Sequence, residues 1–156
     1  MNTPNVTRNI ITTLALSAAG LVGIAGYEGY RGDAYRDSVG VPTIGYGETK
    51  NVKMGQKTTP DRALAQLLKS ANEHADGVRK CVSVPLYQHE FDIYVSLAFN
   101  VGVGTFCKST LVKKLNAGDY AGACAQLKRF KYAGGKVLPG LASRRESEYQ
   151  RCMGAA

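Results

Sequence analysis

The feature that most limits how this chain can fold is an uncharged stretch from Asn9 to Tyr27, near the start of its 156 residues. Within it, residues 10–26 contain seven strongly apolar side chains, and the other ten residues are Ala, Gly, Ser or Thr. As a helix this segment would reach about 25 Å, which is short of the ~30 Å hydrocarbon core of a membrane. We therefore expect an export signal that inserts weakly and reversibly. Cleavage after Ala25 and a buried core helix are the alternatives.

Charge and cysteine content narrow the class of protein. Twenty basic and 12 acidic side chains give a formal net charge of +8, which favours an anionic partner such as nucleic acid, anionic lipid or cell wall. The basic residues are scattered and form no nucleic-acid-binding motif, so we expect no nucleic-acid partner. Four cysteines without a CxxC pair favour two disulfides in an oxidising compartment over reduced core thiols. They are Cys81, Cys107, Cys124 and Cys152.

The rest of the chain predicts an α+β fold in which helices dominate. After the N-terminal segment (1–26) we expect a domain over 27–156, with a β lobe at about 30–58 and a helical lobe at about 59–156. Three short strands are predicted in the β lobe, at 34–37, 42–46 and 52–57. Helices are predicted to start at Thr59, which precedes Pro60, and near Val84, Thr110, Asp119 and Leu141.

Three polar residues after the apolar segment suggest chemistry. Glu28, Asp37 and Thr43 have the spacing Glu-x8-Asp-x5-Thr. Glu28 follows an apolar segment, and dry surroundings would favour its protonated form, which can donate a proton. Asp37, in a polar turn, is expected to stay ionised, and the Thr43 hydroxyl could hold an attacking water. Two carboxyl groups in opposite protonation states meet the requirement for glycoside hydrolysis. The alternative is a helix cap, a turn residue and an ordinary strand residue.

Longer motifs around these residues resemble the phage-type lysozymes, the endolysins of glycoside hydrolase family 24. The similarity is carried by Tyr-Glu-Gly-Tyr at 27–30 and by Ala-Tyr-Arg-Asp-Ser-Val-Gly-Val-Pro-Thr-Ile-Gly-Tyr-Gly at 34–47. It continues through 99–102, 109–120 and 140–148 to about residue 152. The resemblance implies a mainly helical lysozyme fold with a small β-hairpin lobe and an active-site cleft between the two lobes. It also implies hydrolysis of the β-1,4 bond between N-acetylmuramic acid and N-acetylglucosamine in peptidoglycan, without a metal or cofactor.

The same resemblance implies roles for the three polar residues. Glu28 corresponds to the proton donor, and Asp37 to the residue that activates the water or stabilises the cationic transition state. Thr43 would complete the water site. Family members of this kind are usually described as inverting, which would place the two carboxyl groups roughly 6.5–9.5 Å apart.

Further residues are candidates for substrate contact. Gly45, with Gly47, would let a sugar approach the backbone, or would only permit the twist of the hairpin, and Tyr46 lies between them. Asn100 could bond a sugar or could be a buried helix-end residue. Arg144 or Arg145 could pair with Glu28, although an exposed helix face would explain at least one of them.

Some members of the family begin with a signal-anchor-release segment, and residues 10–26 look like one. The implied protein is tethered to the host inner membrane, facing the periplasm, and is inactive because Glu28 is held two residues after Gly26. Loss of membrane energisation, caused by a holin partner, would release the segment into the periplasm. The segment would then refold as a helix that brings Glu28 into place, and the host cell would lyse.

The resemblance also favours one cysteine pairing, and we expect a monomer. Relatives carry cysteines at the places of Cys124 and Cys152, which favours Cys124–Cys152 and leaves Cys81–Cys107. A thiol switch of the catalytic residue is not expected, because no cysteine precedes Cys81. A different wall hydrolase, such as a zinc amidase, is the alternative enzyme, yet the chain has only two histidines and no HExxH motif. A non-catalytic wall-binding module is the alternative outside the enzymes.

Overall fold

A computed structural model describes residues 7–154 and divides the chain into two compact units. The hairpin unit is Ser17–Glu73. The helical unit contains the described residues up to Leu16 and from His74 onward. Seven α-helices and two small antiparallel sheets are found within the described part of the chain, so the predicted α+β class is confirmed.

The hairpin unit begins with a helix that local signals define. Helix α1 (Ala18–Glu28) starts where the Ser17 hydroxyl accepts a hydrogen bond from the Gly20 amide at 3.0 Å. It ends at Gly29, whose φ of +70° suits a residue without a Cβ. Glu28 is therefore the last residue of the helix, at a position fixed by the glycine that follows it.

A two-stranded antiparallel sheet follows α1. Strands β1 (Arg31–Arg36) and β2 (Pro42–Gly45) pair with Tyr35 opposite Thr43. The predicted third strand at 52–57 is wrong, since Asp33 and Lys57 form only an isolated bridge. A turn forms there instead, because the Gln56 side chain accepts a hydrogen bond from the Lys53 amide at 2.9 Å.

Helix α2 (Pro60–Cys81) begins at the predicted proline, and the boundary between the two units falls within it. The Thr59 hydroxyl bonds to the Asp61 carboxyl group and lowers its pKa. Arg79 and Lys80 lie in the last turn, where positive charge suits the helix dipole. Proline at the start, an acid in the first turn and bases in the last turn together explain the bounds of this helix.

The helical unit contains the remaining helices. They are α3 (Gln88–Val101), α4 (Val103–Cys107), α5 (Thr110–Asn116), α6 (Tyr120–Gln126) and α7 (Pro139–Cys152). Asp119 caps α6 as predicted, by accepting a hydrogen bond from the Gly122 amide at 2.8 Å, and this bond lowers the pKa of Asp119. Helix α3 starts at Gln88 rather than near Val84, because the backbone of Leu86 pairs with that of Asn9.

Two elements of the helical unit were not predicted. Helix α4 is one, and the hairpin of β3 (Tyr132–Ala133) and β4 (Lys136–Val137) is the other. The hairpin forms around two consecutive glycines with positive φ, which the sequence analysis did not assign to a hairpin.

The core of the helical unit surrounds α3. Phe91, Tyr94 and Leu97 are fully buried there. Two disulfides close the unit, Cys81–Cys107 and Cys124–Cys152, and this is the pairing that the family resemblance favours.

Residues 10–26 do not form one continuous helix. They comprise a 3-10 helix (Ile11–Thr13), a short extended stretch that includes Leu14, and most of α1. Among residues 7–154, the structure contains no helix with the length and apolar character needed to cross a membrane.

Candidate active site

Glu28 lies at the carboxyl end of α1 and is half-buried. Its carboxyl group approaches Gly47, since a Cβ built on Gly47 would lie 3.2 Å from Glu28 Oε2. Among residues 7–154, and apart from Gly47 and its two chain neighbours, no other heavy atom lies within 4 Å of that Cβ position. The sequence alone does not predict this proximity, because 18 residues separate the two positions.

Asp37 lies directly after β1 and is oriented by its own turn. Its Oδ1 accepts hydrogen bonds from the Val39 amide at 3.0 Å and the Val41 amide at 2.8 Å. Its backbone bonds to Val41 and Gly40 close the same turn. A carboxylate held by two amide donors has a defined direction. Asp37 is therefore a turn residue, as the alternative interpretation expected. This turn is compatible with a role for Asp37 as a catalytic carboxylate.

Thr43 lies on β2 and is buried, with 3% of its surface exposed. Its hydroxyl donates to the Val41 carbonyl oxygen at 2.9 Å. A hydroxyl that donates its only proton in this way still has lone pairs that can accept a hydrogen bond. Val41 thus links Asp37 and Thr43, because its amide bonds to one and its carbonyl to the other.

A tight turn at the end of β2 includes Gly45, Tyr46 and Gly47. The two glycines have φ of +65° and +85°, a region that favours glycine. A Cβ on Gly45 would lie 3.0 Å from Ala63 Cβ, so the backbone packs closely on α2. The Tyr46 ring lies 5.6 Å from the Tyr30 ring, centroid to centroid. The two glycines thus permit the twist of the hairpin, which was one of the two interpretations of these residues. At Gly47 the missing Cβ also leaves room for the Glu28 carboxyl group.

Glu48 holds this turn in place and was not predicted from the sequence. The backbones of Ile44 and Glu48 exchange hydrogen bonds at 2.9 and 3.0 Å. The Glu48 carboxylate accepts from the Lys50 amide and from Gln66 Nε2, both at 2.6 Å. A third acidic residue directly after the glycine turn was the signal available in the sequence.

Asn100 belongs to the helical unit, whereas Glu28, Asp37, Thr43, Gly45 and Tyr46 all belong to the hairpin unit. Asn100 is exposed near the end of α3, so the expectation of a buried residue is wrong. Its Oδ1 accepts from Arg145 Nη2 at 3.1 Å. It also lines a surface cavity of about 420 Å³.

Arg144 and Arg145 are both buried, with 6% and 0% of their surfaces exposed. The explanation of an exposed helix face is therefore wrong for both. Each forms an ion pair with Glu148 on the same helix, at 3.2 and 3.0 Å. Within residues 7–154 no group of three or more His, Cys, Asp or Glu side chains is arranged to hold a metal ion.

Comparison with known proteins gives three kinds of match. A sequence profile of the Phage lysozyme family matches residues 25–148. An endolysin of Acyrthosiphon pisum secondary endosymbiont phage 1 is 42% identical over 137 residues, which is 85% of this chain and 94% of the relative. A SAR-endolysin of Enterobacteria phage P21 is 37% identical over 144 residues, covering 90% of this chain and 87% of the relative.

The solved structure of an endolysin from Escherichia coli O157:H7 phage FAHEc1 superposes with a TM-score of 0.85 at 34% identity. The superposition covers 96% of this chain and 98% of that chain.

Proposed function

Because this chain belongs to the phage lysozyme family and is a lysozyme, we propose that it hydrolyses the β-1,4 bond between N-acetylmuramic acid and N-acetylglucosamine in peptidoglycan with Glu28 as the proton donor. The single observation that carries the residue assignment is the position of the Glu28 carboxyl group against Gly47. This contact links the end of α1 with the turn at the end of β2, and both lie in the unit that also contains Asp37 and Thr43.

The proposed reaction follows from the hydrogen bonds of these residues. Glu28 protonates the glycosidic oxygen, which lets the leaving sugar depart as an alcohol. Asp37 accepts a proton from the attacking water, and its turn keeps the carboxylate pointing in one direction. The Thr43 oxygen accepts a hydrogen bond from the same water, because its own proton is donated to Val41. This arrangement inverts the configuration at the sugar, provided that the carboxyl groups stand roughly 6.5–9.5 Å apart.

The sugar contacts are proposed at two places. In the hairpin unit, the Gly45 backbone and the Tyr46 ring contact the substrate, since glycines expose peptide groups that can bond to sugar hydroxyls. In the helical unit, the exposed Asn100 amide offers both a donor and an acceptor.

We further propose that residues 10–26 first tether the enzyme to the inner membrane of the host and then leave it. The relative from phage P21 is named a SAR-endolysin, and the segment here is uncharged, short and rich in small residues. Helix α1 uses Ala18–Gly26 to carry Glu28. While residues 10–26 span the membrane, Glu28 is held at the lipid surface, two residues after Gly26, and Ile24 lies in lipid rather than in the fully buried position that it has in the folded protein. The tethered enzyme is therefore inactive, and collapse of membrane energisation by a holin starts lysis from the periplasm.

The reaction is tested by measuring reducing sugar ends released from purified peptidoglycan by the released full-length protein. Glu28→Gln should lower the rate by about 10² to 10⁴, the usual contribution of a general acid. Glu73→Gln is the matched control, since Glu73 is an exposed residue of the same unit, and it should act like the parent. New amino groups without reducing ends would instead identify an amidase. Full activity of Glu28→Gln would overturn the assignment of the proton donor.

Tethering is tested with the double variant Gly20→Leu and Gly23→Leu. Leucine favours both the helix and the membrane, so this protein should stay with the membrane fraction after a protonophore dissipates the potential. The parent should appear in the periplasmic fraction. If the double variant fractionates and lyses cells like the parent, release from the membrane is not the activating step.

A further inference from the structure

Arg8 bonds to a buried carboxylate and lies against two aromatic rings. Its Nη2 and Nε atoms donate to the two Glu90 carboxylate oxygens at 2.8 and 3.1 Å. Its guanidinium carbon lies 4.3 Å from the centroid of the Tyr87 ring and 3.6 Å from that of Tyr120. Glu90 is buried, with 2% of its surface exposed, so this carboxylate depends on Arg8 to balance its charge.

The residues after Arg8 are also held by the helical unit. Asn9 and Leu86 exchange backbone hydrogen bonds at 2.8 and 2.9 Å. The Leu14 carbonyl oxygen accepts from Arg79 Nε at 2.9 Å. The Ala15 carbonyl oxygen accepts from Gln88 Nε2 at 2.8 Å.

Apolar burial accompanies these bonds. Ile11 and Leu14 are buried, with 7% and 5% of their surfaces exposed. Arg79, Leu86, Gln88 and Glu90 thus form a docking site for residues 8–15, and all of these residues belong to one unit.

We propose that this docking site stays empty in the tethered enzyme and is filled on release, and that Arg8 is the latch that holds the released segment. The inference rests on the tethering proposed above. If residues 10–26 span the membrane, Arg8 lies on the cytoplasmic side and Glu90 on the periplasmic side. The pair can therefore form only after the segment has left the membrane. Once formed, it opposes return to the membrane, because return would leave the Glu90 carboxylate buried without its cation.

The latch requires arginine rather than any positive charge. A guanidinium group can form two parallel hydrogen bonds with a carboxylate while its flat faces lie against aromatic rings. Lysine offers one ammonium group and cannot make both contacts at once. The Glu90 carboxylate also accepts from the Tyr87 amide at 2.8 Å, which fixes it at the start of α3 and keeps it in position to receive Arg8.

Trypsin cleavage of the 8–9 peptide bond measures docking directly in the released full-length protein. The variants are Arg8→Lys, Glu90→Gln and their combination, with Arg62→Lys as the control, since Arg62 is exposed on α2. Lysine keeps a trypsin site and the positive charge that sets membrane orientation. Each rate is divided by the rate of the same bond in urea, to remove the preference of the protease.

Both single variants should raise the normalised cleavage rate about tenfold or more. Docking protects this peptide bond, and each change removes the two parallel hydrogen bonds between the guanidinium group and the carboxylate. The double variant should exceed the larger single effect only slightly, since both changes remove one interaction. Arg62→Lys should cleave like the parent. Parent-like cleavage in both single variants would overturn the latch.

A second measurement separates the latch from tethering itself. After a protonophore is added to cells, Arg8→Lys and Glu90→Gln should yield a lower released fraction than the parent. If the parent is released from membranes and both variants are released equally well, the latch is overturned while tethering stands. If the parent never fractionates with membranes, tethering fails, and this inference falls with it.

Discussion

The two units of this protein differ in what holds their side chains in place. The hairpin unit holds Glu28, Asp37 and Thr43, yet its buried apolar side chains are few: Ile24, Ala63, Leu67 and Ala71. The helical unit holds both disulfides and the larger apolar core around α3. Hydrogen bonds of turns and glycines with positive φ position the candidate catalytic groups, whereas apolar burial and cross-links stabilise the other unit.

This division makes the two units respond differently to substitution. A change among the buried side chains or disulfides of the helical unit should lower the free energy of unfolding and leave the rate of the folded enzyme intact. A change near the glycine turn should lower the rate of the folded enzyme, whatever its effect on the free energy of unfolding. Substitutions in each unit test that separation.

The largest effect is expected at Glu148 in the helical unit. Glu148 is fully buried and pairs with Arg144 and Arg145. Glu148→Gln should lower the free energy of unfolding by about 3–5 kcal/mol, because it leaves buried guanidinium charge without its partner. Urea unfolding with the disulfides intact measures the loss.

Glu146→Gln is the control for that measurement. Glu146 lies on the same helix and pairs with Lys128 at 3.1 Å, and both side chains are about half exposed. An exposed pair of this kind contributes about 0.2–1 kcal/mol. Similar losses in the two variants would mean that burial of the Glu148 cluster does not set its contribution.

The next effect is expected at the Cys124–Cys152 disulfide. Replacing both cysteines with alanine should lower the free energy of unfolding by about 2–4 kcal/mol, because a cross-link over 28 residues restricts the unfolded chain. The rate of peptidoglycan hydrolysis should stay at the parental value below the melting temperature. Loss of activity in a variant that is still folded by circular dichroism would contradict the division between the units.

Gly47 tests the hairpin unit with a change in activity. Gly47→Ala places a Cβ 3.2 Å from Glu28 Oε2, so the carboxyl group must shift by a few tenths of an ångström. We expect kcat to fall about tenfold, since small displacements of a catalytic group are costly. The release of reducing ends from peptidoglycan measures this fall.

Gly55→Ala separates that displacement from backbone strain. Gly55 has φ of +90°, close to the +85° of Gly47, but no heavy atom of the described part of the chain, its own chain neighbours aside, lies within 4 Å of its Cβ position. Both variants should therefore lose a similar free energy of unfolding, about 1–2 kcal/mol. Only Gly47→Ala should lose activity. Equal kcat values would show that the proximity of Gly47 to Glu28 does not matter for the reaction.

Local signals in the sequence were sufficient for several of these features. The cap at Asp119 and the start of α2 were predicted because the groups that form them lie within a few residues of each other. The turn after Asp37 is of the same kind. Such elements can be read from a sequence because their hydrogen bonds close locally.

Features that depend on distant residues could not be read in this way. The start of α3 at Gln88 depends on Asn9, which pairs with Leu86 across the sequence. The proximity of Glu28 to Gly47 and the burial of Arg145 also require the folded chain. The expectation that at least one of Arg144 and Arg145 is exposed rested on charge alone and was wrong. A guanidinium group can be buried when a carboxylate on the next helical turn balances its charge.

The smallest effect is expected from the caps of two helices, one in each unit. Ser17 caps α1 through the Gly20 amide, and Ser109 caps α5 by accepting from the Val112 amide at 3.3 Å. Replacing either with alanine should cost about 1 kcal/mol in free energy of unfolding. Only Ser17→Ala should also lower kcat, because α1 carries Glu28 and its first turn would open more often. The measurement uses the released protein, so that a more apolar segment does not change membrane insertion. If Ser109→Ala lowered kcat as much as Ser17→Ala, the two units would not differ in their effect on the rate of the folded enzyme.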